Sequence, residues 1–164
     1  DRPVLVARDS GYEGSGPVRR ILLAVAGGED VPGSVAAAVA VAQRSSAEVL
    51  VLHARYVLPD ATGIPFVDSA SDAQQVVTRT VDALRKAGVT AIAHAPLGVG
   101  VARQIAEEAT TWNADLIIMG SRRLSDLGSL FLGGVSHEVM HRSDRPVLVA
   151  RREDPPKGVD KGNG

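Results

Sequence analysis

The chain has 164 residues, with 18 Lys and Arg against 19 Asp and Glu, no Cys, and one Trp, two Tyr and two Phe. At about 150 residues per domain this is one domain, long enough to bury a core. A net charge of -1 excludes the footprint of a dedicated nucleic-acid binder, and scarce aromatics exclude a base-stacking surface. Without Cys there is no disulfide scaffold, thiolate zinc site or Cys nucleophile; this fits a reducing compartment, so a cytoplasmic location is expected. No apolar run reaches the roughly 18 residues that span a bilayer, so no membrane insertion by this segment is expected.

In chain order, the first feature is a repeat. Residues 1–8 read DRPVLVAR, and residues 144–151 read the same eight letters. We expect residues 1–8 to be the final strand of a preceding homologous copy, and residues 9–18, rich in Gly and Ser, to be a linker. The first residue is Asp1 rather than Met, in keeping with a piece of something longer. Ile21–Val25 is a short apolar run ending at Gly27 and Gly28, the pattern of a buried parallel strand. Ser34–Gln43 follows Pro32 and Gly33 as an Ala/Val-rich helix. Glu48–Arg55 reads as a second strand, and Tyr56–Ser71 as a long loop of the kind that forms lids.

The pattern then repeats. Asp72–Lys86 reads as a helix capped by Asp72 and closed at Gly88, with Val76, Val77, Thr80, Val81 and Leu84 inward. Thr90–Ala95 is a third strand and Val101–Thr111 a helix with Ile105, Ala106 and Ala109 inward. Asp115–Met119 is a fourth strand ending at Gly120. Residues 121–132 are loop, Val135–Arg142 a short helix and Pro146–Ala150 a fifth strand. Residues 152–164 have the composition of a disordered tail.

Strands alternating with helices imply right-handed crossovers and a parallel sheet covered on both faces. We therefore expect an open five-stranded parallel α/β sandwich of flavodoxin-like order, 3-2-1-4-5. Ligands of such sheets bind beyond the carboxyl ends of the strands, at the switch point between strands 1 and 4. The candidate binding loops are those after strand 1, with Ala26, Gly27 and Gly28, and after strand 4, from Gly120 to Gly134.

Residues 115–151 read DLIIMGSRRLSDLGSLFLGGVSHEVMHRSDRPVLVAR. This resembles the universal stress protein family, whose members close with a strand, a glycine loop, a short helix and a PVLVV-like strand. The resemblance spans residues 19–151 and implies an adenine-nucleotide α-hydrolase-like sandwich. It further implies a nucleotide- or small-molecule-binding regulatory module of the stress response. ATP, accompanied by Mg²⁺, is the ligand it implies, and a homodimer or tandem-domain pair joined through the fifth strand is the assembly. On that view Val4–Ala7 pairs antiparallel with the Pro146–Ala150 strand, which is otherwise an exposed apolar edge.

ATP-binding members carry Gly, two residues, Gly, nine residues, Gly, then Ser or Thr. Those places fall on Gly120, Arg123, Gly133 and Gly134, so two of four match. Gly120 lets the chain turn off its strand. Gly133 and Gly134 open a helix whose N–H groups hold phosphate oxygens, with Val135 and the Ser136 hydroxyl in its first turn. Arg123 in place of glycine makes a left-handed backbone costlier by roughly 1 kcal/mol. Gly134 lacks the family's hydroxyl, and Ala26 stands where ATP binders usually have Asp. Together these departures remove roughly 3 kcal/mol, about a hundredfold in affinity. Low ATP affinity is therefore expected. Arg122 and Arg123, beside Ser121, either pair with phosphate or are solvated. His53, near the end of strand 2, faces the crevice or the core.

Two other motifs were weighed. His137-Glu138-Val139-Met140-His141 spells H-E-x-x-H, the zincin pattern, but on a helix of two turns that runs straight into a strand. Gly98-Val99-Gly100 is a partial dinucleotide fingerprint lacking its last glycine. Glu107 and Glu108 are adjacent and so cannot form a carboxylate pair. No catalytic residues are expected. The alternatives are a slow ATPase or other nucleotide-processing enzyme, or a regulatory domain of a larger transporter or kinase.

Overall fold

The computed structural model describes residues 4–6, 16–26, 31–58, 66–67, 69–120 and 134–150. Its elements in chain order are β1 (Val4–Val6), β2 (Arg20–Ala24), α1 (Val31–Ser45), β3 (Glu48–Leu52), β4 (Arg55–Leu58), β5 (Phe66–Val67) and α2 (Ala70–Lys86). There follow β6 (Ala91–His94), β7 (Leu97–Gly98), α3 (Val101–Thr111), β8 (Leu116–Gly120), α4 (Gly134–Arg142) and β9 (Val147–Ala150).

The main sheet runs β6-β3-β2-β8-β9, all parallel, with β1 added antiparallel on the β9 edge. Numbered by the five predicted strands, this is the order 3-2-1-4-5. The switch point falls between β2 and β8, where the chain's crossovers change direction.

Alternation along the strands builds two cores. Ile21 and Leu23 of β2 join Val49 and Val51 of β3 and Leu116 and Ile118 of β8 beneath α1 and α2. Leu22, Leu50 and Ile117 face the other way, with Ala102, Ile105 and Ala109 of α3 and Val139 of α4. Ala38 and Ala42 form the contact face of α1, so that helix lies close on the sheet. Among the described residues no helix is long and apolar enough to cross a membrane.

The bottom of the sheet is tied by one carboxylate. Asp115 Oδ2 accepts the backbone N–H groups of Arg19 at 2.8 Å and Arg20 at 2.9 Å. These charge-assisted bonds fix where β2 starts relative to β8.

Three local expectations are corrected. Strand 2 ends at Leu52 rather than Arg55: the chain bends at His53 and Ala54, and β4 leaves the main sheet. The stretch read as a loop from Tyr56 contributes to a second sheet of order β5-β4-β7. Its start is guided by the backbone bonds His53 N to His94 O, 3.0 Å, and Arg55 N to Pro96 O, 2.9 Å. Finally, α2 is capped by Ser69, whose hydroxyl accepts the Asp72 N–H at 3.3 Å. Asp72 therefore sits in the first turn. Starting earlier, the helix buries Ala73 and leaves Val76 half-buried; on α3, likewise, Ala102 is buried and Ala106 only half-buried.

Candidate functional site: a switch-point crevice

A cavity of about 470 Å³ opens beyond the carboxyl ends of β2, β3 and β8. That size lies within the range of small-molecule sites. Its floor comes from the strand ends: Ala24, Val25 and Ala26 after β2, Leu52, His53 and Ala54 after β3, and Met119 and Gly120 closing β8. Buried strands end there because their apolar runs stop at small or polar residues, leaving backbone groups facing the gap.

Two helices aim their amino ends at this space. Gly134, Val135 and Ser136 form the first turn of α4, and Gly100 with Val101 begins α3. First-turn N–H groups have no partner inside their helix, so each such end presents donors and a partial positive charge. Gly100 supplies no side-chain cap and has φ 76°, a left-handed backbone that glycine adopts without strain. Among the described residues, a Cβ placed on Gly134 would meet nothing within 4 Å. The α4 turn thus lines the cavity with small groups. The Ser136 side chain lies beside it, only 4% exposed.

His53 is oriented by the strand beside it. Its Nδ1 lies 3.0 Å from the Val25 carbonyl oxygen. A carbonyl can only accept, so Nδ1 carries the proton. In the neutral imidazole, Nε2 is then an acceptor. The wall opposite is completed by Tyr56 and Val57 of β4. Apolar side chains dominate the lining, and none of the described lining residues is acidic.

The structure thus brings together six of the twelve residues expected at the site: Ala26, His53, Gly120, Gly134, Val135 and Ser136. Gly27, Gly28, Ser121, Arg122, Arg123 and Gly133 lie outside the described residues. Residues not expected there are Ser34, Tyr56, Val57, Gly100 and Val101. For Gly100 a signal existed, since the partial glycine fingerprint ends on it. Tyr56 stood at the start of the stretch expected to form a lid. Ser34 carried no signal beyond its place at a helix start.

The H-E-x-x-H residues sit elsewhere. Glu138 is bound to Arg142, Oε1 to Nε 2.7 Å, and neither His137 nor His141 borders the cavity. Among the described residues no group of three or more His, Cys, Asp or Glu could hold a metal ion.

A doubly covered parallel sheet with a crevice at its switch point, faced by helix amino ends, defines an open, doubly wound α/β fold. The chain belongs to the universal stress protein family, whose model matches residues 17–151. It is 36% identical over 135 residues to a universal stress protein of Thermus aquaticus, an overlap covering 81% of this chain and 98% of that one. Among solved structures it resembles a universal stress protein from Archaeoglobus fulgidus in complex with dAMP, with a TM-score of 0.64 and 20% identity, over 82% of this chain and 99% of that one. Another universal stress protein, from Archaeoglobus fulgidus DSM 4304, matches with a TM-score of 0.66 and 23% identity. That overlap covers 93% of this chain but 50% of the other.

Proposed function

We propose that this domain is a regulatory module that binds an adenine nucleotide or related small molecule in the switch-point crevice, weakly and without turning it over. The observation that carries this reading is the α4 amino end, Gly134 to Ser136, lining a largely apolar cavity of about 470 Å³. An apolar slot with phosphate-accepting N–H groups at one end suits a base and sugar followed by phosphate. The dAMP complex of a relative with the same fold supports the ligand class. Mg²⁺ would accompany a triphosphate. Phosphoryl transfer, however, needs a metal held in place, and the described lining offers no carboxylate to hold one.

Titrating ATP into the chain by calorimetry tests the proposal. A dissociation constant weaker than micromolar is expected. Sub-micromolar binding would overturn the degenerate-site reading, and silence at millimolar ATP would overturn nucleotide binding itself.

The edge of the sheet supports a proposal about assembly. Val4 pairs with Val149, Leu5 with Leu148 and Val6 with Val147, antiparallel and within one chain. Both strands belong to the same octapeptide, so this register is symmetric about the Leu5–Leu148 pair. A two-fold axis relating two identical strands would produce the same arrangement. We read β1 as a stand-in for the last strand of a second copy, in tandem or in a homodimer. Residues 9–18 are then the linker, 19–151 the domain and 152–164 a tail. Deleting residues 1–17 is expected to expose the β9 edge, changing both the oligomeric state by sedimentation and the melting temperature. If both stay the same, β1 has no such role.

A further inference from the structure

The exposed face of α4 carries a pair of histidines that the crevice does not use. His137 and His141 are one turn apart, their ring centroids 4.3 Å apart and their planes inclined at 60°. Their Nε2 atoms stand 3.2 Å from each other. Two imidazole nitrogens bound to one cation at about 2.05 Å stand about 2.9 Å apart at a right angle and about 3.35 Å apart at the tetrahedral angle. The observed spacing falls between these, while the ring centroids are closer than the roughly 5 Å of two imidazoles aimed at one cation, so binding turns the rings apart. We propose that His137 and His141 form a two-histidine chelate for a borderline divalent transition cation such as Zn²⁺, Ni²⁺ or Cu²⁺.

The helix brings the two side chains together. Residues four apart lie on one face, one above the other. The opposite face is anchored: Val139 and Met140 are buried against the second core. The histidines therefore face outward from a fixed backbone, and a cation has only the two side chains to reorient. Imidazole pairs suit Zn²⁺, Ni²⁺ and Cu²⁺, whereas Mg²⁺ and Ca²⁺ demand oxygen ligands.

Glu138 separates this arrangement from that of a zinc peptidase. There the glutamate activates the metal-bound water. Here it is held by Arg142 at 2.7 Å, on a neighbouring stripe of the helix. Among the described residues no set of three ligands is present, so these two histidines are the ligands the helix itself supplies.

Calorimetric titration of the untagged chain with NiCl₂, ZnCl₂ and MgCl₂ tests the proposal. One equivalent of Ni²⁺ and of Zn²⁺ is expected to bind, and no Mg²⁺. His137→Gln and His141→Gln should each weaken Ni²⁺ binding by roughly tenfold or more, in the spirit of losing one of two ligands, while His94→Gln leaves it unchanged. Cu²⁺ added to the chain should give an electron paramagnetic resonance spectrum with two nitrogen ligands, reduced to one in either variant. Melting curves without metal show whether the variants fold. Saturating Ni²⁺ should raise the melting temperature of the parent chain and not of the double variant. Binding that persists in the double variant overturns the proposal. So does an absence of binding, which would leave the 3.2 Å contact as an N–H···N hydrogen bond.

Discussion

Replacing Ile118 with alanine is expected to lower the unfolding free energy by about 2–5 kcal/mol, read as a shifted urea midpoint at unchanged slope. Ile118 lies on β8 with 0% exposure and pairs with Leu23 on one side and Leu148 on the other. Its side chain belongs to the core beneath α1 and α2, where the helix contributes Ala38 and Ala42. Alanine cannot reach across a gap, so the cavity left by the missing carbons stays open. Ile92, on the edge strand β6 and 47% exposed, provides the contrast. Its replacement by alanine should change stability by about 0.5 kcal/mol or less. Equal effects at the two positions would mean that the sheet's centre does not carry its stability.

Replacing Ala26 with aspartate is expected to tighten adenine-nucleotide binding by about ten- to a hundredfold, the range of one charge-assisted hydrogen bond of about 1.5–3 kcal/mol. Ala26 follows β2, is exposed, and borders the cavity, so a carboxylate there remains hydrated in the free protein at little cost. A carboxylate beside the sugar would accept its hydroxyls. Beside the phosphates it would repel them. Calorimetry with adenosine, AMP and ATP separates the two. A common gain for all three places the nucleoside next to residue 26. A loss that grows with phosphate number would reverse the orientation of the ligand in the crevice, and unchanged affinities would remove residue 26 from the site.

How much was legible in the sequence depended on the length scale of each signal. The five parallel strands and their order could be read because runs such as Ile21–Val25 and Leu116–Met119 are apolar throughout and are soon followed by glycine. Their alternation with helices left few topologies. The crevice followed from that order, since a switch point is a property of connectivity. Less legible was the small sheet of β4, β5 and β7. Its strands are two to four residues long, too short for periodicity, and their pairing depends on where the bend at His53 sends the chain. Tyr56 and Val57 were missed at the site for that reason. The cap of α2 was misplaced because Ser69 and Asp72 are both good capping residues three positions apart, and only the backbone geometry decides between them. His53 could be noticed in the sequence, but its proton could not be placed, because the Val25 carbonyl that accepts it lies 28 positions away.

The joining of β1 to β9 also bears on the order in which the sheet assembles. Neighbouring strands β2 and β3 pair residues 28 positions apart, as Arg20 with Glu48, whereas Val4 meets Val149 across 145. Closing the longer loop costs more chain entropy, and three paired residues return little for it. The five parallel strands can therefore condense first around Ile21, Val49 and Ile118, with β1 arriving on a finished edge. In the native protein the same ledge is expected to open first. Amide hydrogens of Val4–Val6 are expected to exchange ahead of those in β2 and β8, releasing the sixth strand while the other five keep their shape.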